Sequence, residues 1–91
     1  MFVVIAYDIA NDKRRNRIAK ILLDYGNRVQ YSVFEAEITQ ELLDEILLRL
    51  QAVINSDEDS VRIYKICSRC LERVELMGDA KLALPEDVFV Y

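Results

Sequence analysis

The sequence predicts an antiparallel α+β sandwich, and three observations predict it. Residues 2–7 form an apolar, β-branched run, two later stretches repeat apolar residues at the helical period, and the segment between those stretches alternates strictly. The first run is too short for a helix and closes at Asp8, so it reads as a buried strand. Asn11 and Asp12 then offer N-caps for a helix with Ile18, Leu22 and Tyr25 along one side, a stripe that Ala19 and Leu23 widen. Gly26 stands where a left-handed residue would end that helix.

Residues 28–38 place Val29, Tyr31 and Val33 on one face and Gln30, Ser32 and Phe34 on the other, which predicts one long second strand with Tyr31 in the core. Thr39 caps a second helix whose apolar set is Leu42, Leu43, Ile46, Leu47, Leu50, Val53 and Ile54. A polar loop at 55–60 leads to a third strand at 61–67. A short turn at 68–71, a fourth strand at 73–77 and a short terminal strand at 88–91 follow. The order is strand, helix, strand, helix, strand, strand, plus the terminal strand. This is a ferredoxin-like βαββαβ-type plan in one domain, residues 1–91, with both helices on one face of the sheet.

A chain of 91 residues buries only roughly 60–65% of its unfolded surface, yet 53% of this one is hydrophobic. The first strand is apolar on both faces, and Tyr64 and Ile66 add to the face opposite the helices. The expectation is a homodimer formed through that sheet face. No run approaches the roughly 20 apolar residues of a membrane span, and the N-terminal run lacks a cleavable signal pattern, so the expected location is cytoplasmic.

The net charge of −4 is divided unevenly. Residues 11–28 carry Lys13, Arg14, Arg15, Arg17, Lys20 and Arg28 against Asp12 and Asp24. Residues 35–59 carry eight acids against Arg49 alone. Screening confines each field to about 10 Å, so these are two surfaces rather than one average, and the basic one suits phosphate. Arg14, Arg15 and Arg17 offer planar two-point contacts to phosphate, and Arg28 adds a cation where the second strand begins. Ser32 is a candidate polar contact, and Phe34 or Tyr31 could stack on a base.

The chain has no His, so hydrolysis would need a carboxylate, a thiol or a metal. Asp8, at the end of the first strand, is placed where a homodimer would bring two copies together, and Mg²⁺ binds through one or two carboxylates while keeping several waters. Cys67-Ser68-Arg69-Cys70 is a C-x-x-C pair with no second pair and no His, so one chain cannot complete a four-ligand zinc site.

Three segments together resemble the small CRISPR-associated endoribonuclease family, the partner of the spacer integrase in CRISPR adaptation. They are Tyr7-Asp8-Ile9 with Asn11-Asp12-Lys13-Arg14-Arg15-Asn16-Arg17, then Tyr25-Gly26 with Arg28-Val29-Gln30-Tyr31-Ser32-Val33-Phe34-Glu35, then Asp59-Ser60-Val61-Arg62-Ile63-Tyr64. The resemblance implies a ferredoxin-like homodimer in which Asp8 of each chain binds Mg²⁺, with Mn²⁺ as the alternative, and in which Tyr7, Arg15, Arg17, Arg28 and Phe34 matter for cleavage. It implies a metal-dependent endonuclease acting on single-stranded RNA or duplex DNA. Alternatively, it implies a non-catalytic dimer that bridges integrase dimers on DNA. A toxin-like ribonuclease of the same fold is the lesser alternative. Asn11 stands where the family often has an acid, so a second carboxylate is missing there.

Overall fold

The computed structural model describes residues 1–83. Its elements are β1 (Phe2–Asp8), α1 (Asp12–Leu23), β2 (Asn27–Gln30), β3 (Val33–Glu37), α2 (Gln40–Gln51), β4 (Ser60–Ile66) and α3 (Ser68–Glu72). The sheet is antiparallel with strand order β2-β3-β1-β4. This is the ferredoxin-like arrangement, with α1 and α2 packed on one face.

Both long helices begin as their sequences dictate. The Asn11 side chain accepts the backbone N–H of Arg14, and Thr39 accepts that of Leu42, which satisfies donors that a helix start otherwise leaves unpaired. Ile18, Ala19 and Leu22 of α1 and Leu43, Ile46 and Leu50 of α2 are buried against Val3, Ile5 and Tyr7 of β1 and Phe34 and Ala36 of β3. Each large apolar side chain so covered contributes roughly 1.5–3 kcal/mol. Leu23, expected in the stripe, is instead 54% exposed, because it lies past the arc of α1 that faces the sheet.

Four sequence expectations are corrected. Residues 28–38 are not one strand but the hairpin β2–β3, which turns at Tyr31–Ser32. Its register shifts between Arg28 and Gln30, where the ladder takes up an irregularity. The chain therefore reaches four strands by splitting this segment. The expected strand at 73–77 is unpaired, because the expected turn at 68–71 is the start of helix α3, which redirects the chain after β4. Tyr31 is not core: it sits at the hairpin tip and is 94% exposed. Gly26 is not left-handed, since Gly78 alone has a positive φ among the described residues. A glycine is needed at 26 for closeness: a Cβ there would lie 2.4 Å from the Glu35 carbonyl oxygen and 2.7 Å from the Ala36 Cβ, so β2 could not lie down on β3. The expected strand at 88–91 lies outside the described residues.

The sheet face without the long helices carries Phe2, Val4, Ala6 and Asp8 of β1, Val33, Glu35 and Glu37 of β3, and Arg62, Tyr64 and Ile66 of β4, as the strand registers require. The chain itself covers part of this face. Phe2 is only 2% exposed, and it lines a cavity together with Ile66 of β4 and Leu71 of α3. Beyond α3 the backbone crosses toward β3: Leu76, Asp79 and Lys81 line a cleft with Val33 and Glu35, and the Ala83 N–H donates to Glu35 Oε1 at 3.0 Å. Tyr64 stays half exposed.

Candidate functional site

Asp8 ends β1 opposite Ser60 of β4. It is exposed, and its carboxylate has no hydrogen-bond or ion-pair partner among the described residues. It belongs to the face of the sheet without the long helices, because strand alternation sets it with Phe2, Val4 and Ala6 while Val3, Ile5 and Tyr7 enter the core.

Tyr7, expected beside Asp8 as a catalytic group, is buried. Its hydroxyl donates to the Tyr31 carbonyl at 3.3 Å, and its backbone N–H donates to the Ser32 carbonyl at 3.1 Å. Tyr7 is therefore a positioning residue that ties the hairpin tip to the end of β1. Phe34, expected as a base-stacking surface, is 1% exposed, because its pairing with Ile5 turns it toward the helices. Its ring stacks with Tyr7 at 6.1 Å, and the Arg28 guanidinium lies 5.4 Å from its centroid. Phe34 thus holds Arg28 in place rather than meeting a base. The exposed ring of this hairpin is Tyr31, and a two-residue turn without Gly, Pro or Asn gave no sign of it.

The arginines of α1 divide into three environments. Arg14 is engaged internally: its Nε donates to Asp59 Oδ2 at 2.8 Å, its Nη2 to Asp59 Oδ1 at 3.1 Å and to Glu58 Oε2 at 2.9 Å. That pairing leaves the Arg14 side chain 22% exposed and its guanidinium occupied by two carboxylates. Arg15 donates from Nη1 to the Ile9 carbonyl at 3.1 Å and pairs with Asp12, which fixes a guanidinium to the loop directly after Asp8. Arg17 is exposed, has no ion pair among the described residues, and shares a groove with Lys20 and with Arg49 of α2. It lies on the helix layer beside α2, whereas Arg15 is tied to the loop that follows Asp8.

Asp59 is a residue the sequence did not single out. Its side chain is fully covered, and its Oδ2 also accepts the Asn55 N–H at 2.8 Å, so it folds the loop before β4 onto α1. Hydrogen bonds from Arg14, then from the Asn55 backbone, hold its carboxyl below its ordinary pKa of 3.8, and Asp59 in turn raises Arg14. A carboxyl depressed in the folded chain stabilises it above the unfolded pKa, and that contribution is lost as pH falls through the lower folded value. Asp59→Asn should accordingly lower the thermal midpoint by several degrees at pH 7, and the gap from the parent should narrow toward pH 3. Thermal melts at the two pH values check this.

Among the described residues no group of three or more His, Cys, Asp or Glu side chains could hold a metal. Asp8 by itself offers a carboxylate, a hard oxygen donor of the kind that suits a largely hydrated Mg²⁺.

The model of the family described as CRISPR associated protein Cas2 matches residues 1–74. The chain belongs to the CRISPR associated protein Cas2 family. A relative from Synechocystis sp., the CRISPR-associated endoribonuclease Cas2 3, is 43% identical over 82 residues, which is 90% of this chain and 89% of that protein. The crystal structure of Streptococcus pyogenes Cas2 is similar with a TM-score of 0.74 and 37% identity, over 86% of this chain and all of that one. A chain of a partial Cas6-RT-Cas1–Cas2 complex, 24% identical, shares the fold with a TM-score of 0.78 over 98% of each chain. The matched residues include Asp8, the α1 arginines and the β2–β3 hairpin.

Proposed function

We propose that two copies of this chain, joined across the sheet face that carries Asp8, form a metal-dependent endonuclease of CRISPR adaptation that cleaves phosphodiester bonds in RNA or DNA and works beside the spacer integrase. Membership of the Cas2 family and the endoribonuclease name of its relatives support the setting. The observation that carries the chemistry is Asp8: an exposed carboxylate at a strand end, unpaired among the described residues, with the Arg15 guanidinium anchored one residue farther on. The two Asp8 carboxylates would hold Mg²⁺, or Mn²⁺, which when bound acidifies water and offsets phosphate charge. Arg15 orients the scissile phosphate through its free donors. Arg28, held over Phe34, steadies the strand beside the hairpin, and the Ser32 hydroxyl is a polar contact to it. Tyr7 keeps the hairpin tip against β1.

A second reading, a non-catalytic dimer that holds duplex DNA for integrase dimers, is favoured by one observation. Lys13, Arg17 and Lys20 are exposed and without ion pairs among the described residues, and they lie on the helix layer rather than around Asp8. One experiment separates the two: cleavage of RNA and duplex DNA with Mg²⁺ or with chelator, alongside duplex binding at two salt concentrations. Catalysis requires turnover that the chelator abolishes, and metal-independent cleavage or none at all overturns it. Binding should weaken steeply with salt, and Arg17→Ala should reduce the magnitude of the log–log salt slope by about one for each phosphate that the variant leaves unneutralised.

A further inference from the structure

Cys67 and Cys70 take no part in the site described above. Cys67 directly precedes α3 and Cys70 lies in its first turn, so one backbone turn separates them. The Leu71 N–H closes that turn on the Cys67 carbonyl at 2.8 Å. In such a turn the two Cα atoms lie roughly 5–6 Å apart, within the range a disulfide spans without moving the backbone. Both side chains are exposed and free. Cys67 is thus open to attack a reagent from solvent, and Cys70 is near enough to finish the exchange.

The two thiols are also unequal. Cys67 is drawn below the ordinary thiol pKa of 9.0, first by the Cys70 backbone N–H and then by the Cys70 thiol, whereas Cys70 is raised, chiefly by Cys67. Cys67 makes no side-chain cap hydrogen bond of ordinary geometry, so the Cys70 N–H acts on its sulfur at longer range. The thiol with the greater thiolate fraction is the attacking one, and the more protonated neighbour resolves.

We infer that Cys67 and Cys70 form a reversible dithiol–disulfide site whose substrate is a low-molecular-weight disulfide. The Cys67 thiolate attacks one sulfur of that disulfide, forming a mixed disulfide and releasing one small thiolate. Cys70 then gives its proton to solvent, and its thiolate attacks the Cys67 Sγ, which releases the second small thiolate. The protein loses two electrons, the small disulfide gains them and becomes two thiols, and the two cysteine protons pass through solvent to those thiols. α3 is the element this bond would pin, and its Leu71 lines the same cavity as Phe2.

The test is reaction of the full chain with oxidised glutathione at pH 7, followed by intact mass. The parent should end about 2 Da lighter than its dithiol, as a monomeric internal disulfide that dithiothreitol reverses. Cys70→Ser, which keeps the position-70 backbone N–H, should stop at a glutathione adduct on Cys67, and Cys67→Ser, which frees Cys70 from the neighbour that raises it, should form its adduct about twofold more slowly. Equal rates for the two variants, covalent dimers, or a parent that retains one glutathione on each cysteine would overturn the inference. Because both side chains are exposed, the serine variants should fold, and circular dichroism confirms that the rates compare folded chains.

Discussion

Asp8→Asn should reduce Mg²⁺-dependent phosphodiester cleavage by about 100-fold or more, a loss of roughly 3 kcal/mol of transition-state stabilisation. In the proposed dimer, removing one negative charge from each copy would leave a divalent cation with neutral amide oxygens, which compete poorly with water for it. The substitution should cost little else. The carboxylate is exposed and holds no hydrogen bond among the described residues, so the melting temperature and the duplex affinity should stay near the parent's. A side-by-side cleavage time course, melt and binding titration checks all three. Parent-like cleavage by the Asn variant would remove Asp8 from the chemistry and leave the DNA-holding reading standing.

Phe34→Ala should be the most damaging single change to the fold, at about 3–5 kcal/mol. The ring is 1% exposed and lies in the centre of the sheet opposite Ile5, so truncation leaves a cavity with few ways to collapse. The damage should reach the candidate site as well, because Tyr7 stacks on this ring and Arg28 lies against it. Denaturant unfolding measures the loss, and Phe34→Leu should recover a good part of it. If Phe34 met nucleobases instead, Phe34→Leu would lose binding while keeping stability, and the comparison distinguishes the two roles.

The helices were legible in the sequence because their signals are local. Asn11 and Thr39 cap the positions expected of them, and the apolar stripe of α2 reaches the core where its period placed it, except Leu42, which lies at its edge and is exposed. The hairpin was not legible. Residues 28–38 keep their alternation through the turn, and no Gly, Pro or Asn marks Tyr31–Ser32, so two strands read as one. The apolar pattern at 73–77 was real, but α3 carries the chain off the sheet edge, and alternation alone cannot report whether an edge is within reach. Asp8 stood out because a charged residue ended an apolar strand. Arg14 and Asp59 did not stand out as partners, since a contact across 45 residues leaves no trace in spacing.

With Arg14 turned inward, Lys13, Arg17 and Lys20 occupy one side of α1 at successive turns. A rise of 1.5 Å per residue spreads them over about 10 Å, and duplex DNA rises about 3.4 Å per base pair, so the row matches about three base pairs measured along the duplex axis. Under the DNA-holding reading proposed above, such a ruler would measure length and ignore lettering, and it would align the duplex with the helix axis.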